Sequence, residues 1–136
     1  MADRSKLPEQ TITDGGGTQR ALGYINHIYA DRCEARITLD ERHGNRRGGL
    51  HGGVISTLLD SALGYAASRA YDDEAAQVVV TLSLNVNFVS ATSHQEICAA
   101  GWVRRAGRSV CFCEGKVTDG DGTVLATASG VFKKIG

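Results

Sequence analysis

Neither sign of charge prevails in this sequence: fifteen lysines and arginines are matched by fifteen aspartates and glutamates. That removes the usual electrostatic basis for nucleic acid or a membrane surface as the main partner. It leaves room for a local basic patch facing a phosphorylated ligand. Long apolar runs are missing as well. The opening "MADRSKLPEQTITDGGGTQR" has no hydrophobic core of signal-peptide length. Residues 50–68 mix His51, Ser56, Thr57, Asp60, Ser61 and three glycines into what would have to be a spanning helix. A cytoplasmic protein is therefore expected. The four cysteines, Cys33, Cys98, Cys111 and Cys113, form no C-x-x-C pair, and no histidine stands at zinc-ligand spacing from them. No metal site is expected, and the thiols read as reduced, small apolar residues.

What is present suits one domain with a real core. Of the 136 residues 42% are hydrophobic and 22% charged, which argues against disorder. Residues 1–20 read as a polar, irregular lead-in, and the domain is expected over 21–136. "ALGYINHIYA" (21–30) and "CEARITLD" (33–40) read as strands, the second with Ala35, Ile37 and Leu39 alternating against polar neighbours. Residues 41–49 are loop by composition. One long helix follows. "QVVVTLSLNVNFVS" (77–90) then puts Val78, Val80, Leu82, Leu84, Val86 and Phe88 on one face of a strand, with Thr81 pointing the other way. Three more strands, 96–105, 109–118 and 123–134, are joined by glycine turns at Ala106-Gly107 and at "DGDG" (119–122), which makes an antiparallel meander. A single helix between two strands and about four more predicts an α+β fold, an antiparallel sheet of about six strands curled around that helix.

The helix carries the most information. At 100° per residue, Val54, Ile55, Leu58, Leu59, Ala62, Leu63, Ala66 and Ala67 share a broad core face. The opposite face holds Gly53, Thr57, Asp60, Ser61, Gly64 and Ser68, where a solvated helix would show lysine and glutamate. Small residues let another backbone approach, so this face is expected to be covered by a second copy of the chain. Asp60 is then a lone carboxylate near an interface. It is either a structural hydrogen-bond acceptor or a reactive acid. The helix start, "GGLHGG", places glycines beside unpaired backbone N–H groups and the positive end of the helix dipole. That is a site for an anion or for the oxyanion of a carbonyl under attack. The spacing does not fit a nucleotide P-loop.

The pattern Asn45, Gly48, His51-Gly52-Gly53, then Leu58 and Asp60, resembles the hotdog-fold acyl-CoA thioesterases of the PaaI and thioesterase-superfamily-member-2 type. The resemblance spans about residues 20–134. It implies a hotdog dimer, often paired into a tetramer, with active sites between protomers and no cofactor. It makes Asp60 the catalytic acid of one protomer and the Gly52 N–H of the other the carbonyl donor. Asn45 would help place substrate or water, His51 would support the loop, and Thr81 would hold water beside Asp60. Gly53 and Tyr65 would line the substrate pocket.

The substrate so implied is an acyl-CoA. Its phosphates would meet Arg104, Arg108 and Ser109 at the "RRAGRS" turn, unless those arginines are simply solvated. A thioester carbonyl is reactive enough for a carboxylate either to attack it or to activate water, and the sequence does not separate the two. The small residues Ser61, Gly64 and Ser68 leave room for a bulky acyl group, aromatic or medium-chain. The rival reading is a non-catalytic acyl-CoA-binding hotdog protein, a sensor or scaffold, which would not need Asp60. A hotdog hydratase is a third, for which the aspartate–histidine spacing is wrong.

Overall fold

Of the polar lead-in expected over residues 1–20, the first five residues lie outside those described, and residues 10–20 take part in the fold. In the computed structural model, which describes residues 6–136, β1 (Gln10–Ile12) pairs with β2 (Ile25–Ile28), and α1 (Gly17–Leu22) lies between them. The strand expected over 21–30 is thus shorter, because its first residues finish α1. The cause is tertiary. The Gln19 side chain, 4% exposed, donates to the Ile12 and Tyr24 carbonyls and accepts from the Gly15 N–H. Gly23, with φ 81°, takes the left-handed turn that ends α1. A glycine run hides such a network from any pattern of alternation.

β3 (Cys33–Thr38), a 3-10 turn (Glu41–His43), α2 (Gly52–Tyr71), β4 (Val79–Phe88), β5 (Glu96–Ala106), β6 (Val110–Asp119) and β7 (Val124–Lys134) complete the order. All pairings are antiparallel, and the seven strands run β1-β2-β3-β5-β6-β7-β4. The α+β reading holds, with one strand more than expected. The "DGDG" turn is a hairpin in which Asp119 accepts from the Asp121 and Thr123 N–H groups.

The sheet wraps α2, whose eight predicted core residues are all buried. Three glycines on neighbouring strands let the wall come close. A Cβ at Gly101 would lie 2.8 Å from the Leu63 backbone N, one at Gly115 2.5 Å from Leu63 Cδ1, and one at Gly130 3.0 Å from Leu63 Cδ2. The buried thiols answer to the small-apolar reading. Burial pushes Cys33 up to about 12, and Cys113 is raised for the same reason.

One pattern was misread. The apolar alternation on β4 is not a single face. Leu82 is an extra residue opposite β7, between the Thr81–Phe132 and Ser83–Val131 pairs. A bulge of this kind resets the side-chain phase. Val78, Val80 and Leu82 therefore face outward and are exposed, whereas Val79, Leu84 and Val86 pack on the core. Thr81 does point away from Val80 and Leu82, and that direction is the helix side.

Candidate active site

Asp60 sits in the third turn of α2, half-buried, and its Oδ1 accepts a 2.7 Å hydrogen bond from the Thr81 hydroxyl. The two are brought together by the bulge, which turns Thr81 inward. Asp60, Ser61, Gly64, Tyr65, Ser68 and Thr81 line one groove together with Gly15 and Phe132. Gly64 is where Phe132 approaches, 3.5 Å from the position of a Cβ. Burial raises the Tyr65 phenol above its ordinary value, so it stands in the groove as a neutral hydroxyl. The Ser61 hydroxyl donates to the Asn26 amide oxygen, 3.0 Å away, and Asn26 is 1% exposed. Through Asn26 and Gln19 the groove wall is tied to the N-terminal segment. Nothing in the sequence pattern marks these two buried amides.

The start of α2 forms a second centre. His51 is the N-cap, and its Nδ1 accepts from the Gly53 N–H at 2.8 Å. Because Nδ1 accepts, the ring proton resides on Nε2. Gly53 is glycine for a local reason: a Cβ there would lie 2.8 Å from the His51 ring. Its N–H serves the cap, whereas the Gly52 N–H has no acceptor among the described residues. The loop before it is self-organised. Asn45 Oδ1 accepts from the Arg47 and Gly49 N–H groups, and Gly48 takes φ 85°. Asn45 and Gly52 line the same cavity, together with Phe88, which the sequence pattern places only on an apolar strand face. His43, given no role from sequence, is buried: its Nδ1 accepts from the Asp40 N–H and its Nε2 donates to the Leu22 carbonyl.

The two centres do not meet within one chain. Asp60 follows Gly52 by eight residues of helix, a rise of about 12 Å. The third predicted group lies elsewhere again. The turn carrying Arg108 and Ser109 is held at the C-terminal end of α2, where the Tyr71 hydroxyl donates to the Gly107 carbonyl. Arg104 lies 3.4 Å from Glu114 and is largely exposed.

Residues 47–126 match the model of the thioesterase superfamily. A Pseudomonas aeruginosa protein named as an esterase is 34% identical over 102 residues, 71% of this chain and 70% of the relative. A Bacillus halodurans protein solved with CoA is 30% identical, with a TM-score of 0.71, 77% of this chain and 68% of that one being covered. The PaaI protein of the E. coli phenylacetic acid degradation operon, 18% identical, shares the fold at a TM-score of 0.76 over 90% of this chain and 87% of its own. A long helix wrapped by a seven-stranded antiparallel sheet is the hotdog architecture. The chain belongs to the thioesterase superfamily. No helix among the described residues is long and apolar enough to cross a membrane.

Proposed function

We propose that the protein hydrolyses acyl-CoA thioesters at a site completed by two protomers. The observation that carries this is Asp60: a carboxylate held by one short hydrogen bond from Thr81, in a groove of small residues on an otherwise uncharged helix face. Its second oxygen, Oδ2, is unengaged among the described residues and serves as nucleophile or as general base toward water. The carbonyl oxygen of the thioester accepts from the Gly52 N–H of the facing protomer, where the helix dipole favours developing negative charge. Asn45 keeps the loop before Gly52 in shape. CoA as the leaving group agrees with the CoA-bound relative, and its phosphates would lie toward Arg104 and Arg108.

A second copy is supported by β4. This strand is one edge of the sheet, ten residues long, and it exposes Val80 and Leu82, with the exposed Val78 just before it. A long apolar free edge invites pairing, and an identical edge running antiparallel is the partner that closes with two-fold symmetry. The 12 Å between Asp60 and Gly52 on one helix then becomes irrelevant, because each site draws one group from each protomer.

The acyl group is assigned to the Ser61–Gly64–Tyr65–Ser68 groove, which suits aromatic or medium-chain acids. Each methylene buried there adds about 0.8 kcal/mol, so kcat/KM is expected to rise from acetyl- to hexanoyl-CoA and to be high for phenylacetyl-CoA. Acetyl-CoA turning over fastest would refute the roomy groove. The test of the reaction itself is thiol release by wild type and by Asp60→Asn. Loss of at least a hundredfold with unchanged melting temperature is expected. Near-normal turnover by the variant removes Asp60 from the mechanism. No release by wild type across a broad acyl-CoA panel, with binding retained, favours the sensor reading.

A further inference from the structure

The geometry points to Phe88 as the residue that positions the thioester carbonyl on the Gly52 N–H. Phe88 closes β4 and is 58% exposed, unusual for an aromatic ring that also touches a helix terminus. Its contact is with Gly52: a Cβ built there would lie 3.3 Å from both Cε1 and Cζ of the ring. Ring and N–H line one cavity with Asn45, Leu50 and Ile55. Gly52 is therefore glycine for two reasons. Nothing blocks the approach to its N–H, and the ring can lie flush against its Cα.

A lone backbone donor in water polarises a carbonyl weakly, because water competes for the donor and screens the charge. A ring laid beside the donor changes this without adding a hydrogen bond. Once a substrate covers the remaining side, the N–H is enclosed by apolar surface and its hydrogen bond to an oxyanion strengthens. Phe88 acts through Gly52 and is a positioning residue. It touches the reacting end, so its effect should not depend on acyl length, whereas Tyr65, in the Asp60 groove, should change the length profile.

This inference rests on the proposed reaction, so the experiment separates them. Phe88→Ala, Phe88→Leu and Phe88→Tyr are compared with wild type for hydrolysis of acetyl-, hexanoyl- and lauroyl-CoA. Expected for Phe88→Ala is a fall of about tenfold in kcat, the same for all three chains. That is smaller than the 10²–10³ typical of losing an oxyanion donor outright. The melting temperature should be unchanged, and Phe88→Tyr should restore most of the rate. In parallel, binding of two inert CoA analogues is measured, one with a methylene ketone in place of the thioester and one a plain thioether without the carbonyl. Phe88→Ala should weaken the ketone several-fold more than the thioether. Equal weakening of both, a kcat within twofold of wild type, or an effect that varies with chain length overturns the inference. Absence of hydrolysis in wild type, with the ketone preference still lost in Phe88→Ala, overturns the reaction and leaves the role of Phe88 at Gly52 standing.

Discussion

Thr81 spends its hydroxyl proton on Asp60 Oδ1, which fixes the carboxylate plane without neutralising it. Hydrogen bonds to a charged acceptor contribute about 1.5–3 kcal/mol. Thr81→Ala is thus expected to lower kcat by between about ten- and a hundredfold, through a misaimed acid, with Thr81→Ser recovering most of it. Steady-state rates of the two variants at saturating substrate check this. An alanine variant as active as wild type would reduce Thr81 to packing. Asp60 and Gly52 stand out in the sequence by local signals, an acid without a basic neighbour and a glycine pair at a helix start, whereas Asn45 and His51 stand out only through the family resemblance. Phe88, Asn26 and Gln19 do not stand out. Their meaning lies in what they touch, 35 or 36 residues away for Asn26 and Phe88 and across a turn for Gln19, and a phenylalanine at the end of an apolar alternation looks like any core residue.

At the scale of elements, α2 and the meander β5-β6-β7 followed from periodicity, since a 3.6 period and a period of two are both imposed by burial of one face. The N-terminal segment and the inner face of β4 did not. In the first, side-chain amides replace the apolar pattern. In the second, one inserted residue shifts the phase and leaves valine and leucine on both faces, so alternation alone cannot say which is inside. The row of Gly101, Gly115 and Gly130 carries its own expectation. Gly115→Ala puts a methyl 2.5 Å from Leu63 Cδ1 and 2.6 Å from the Ala100 carbonyl oxygen, an overpacking of a kind that costs about 1–3 kcal/mol. Denaturant unfolding should show the lower stability. Leu63→Val in the same background should recover part of it by removing bulk from the helix side, and no recovery would mean that the Ala100 carbonyl is the contact that matters.

For the whole molecule, the proposed two-protomer site sets the register of the β4 edges. Thr81 marks the level of Asp60 on the strand and Phe88 that of Gly52. Bringing Asp60 to the partner's Gly52 requires Thr81 of one copy opposite Phe88 of the other, both on the helix side. Counting inward, Leu82 and Ser83 together face Asn87, Leu84 faces Val86, and Asn85 faces its own symmetry mate. Asn85→Cys is therefore expected to give an oxidised covalent dimer on a non-reducing gel, and Ser83→Cys is not. Of the native thiols Cys33, Cys111 and Cys113 are buried and Cys98 partly so, and the unmodified protein run on the same gel gives their background. A cross-link at Ser83 without one at Asn85, or a monomer at micromolar concentration by sedimentation, would rule this arrangement out.

The extra residue at Leu82 has a further consequence in this light. A strand that pairs with its own copy across a two-fold axis is read in both directions at once, like a palindrome. With strict alternation, Thr81 and Phe88, separated by an odd number of positions, would point to opposite sides of the sheet. One of the two would then face away from the helix in every register. The single inserted leucine shifts the count by one and sets both on the helix side. Deleting Leu82 should accordingly leave a sheet that still forms and still has an edge, but that can no longer set Thr81 beside Asp60 and Phe88 beside Gly52 at once.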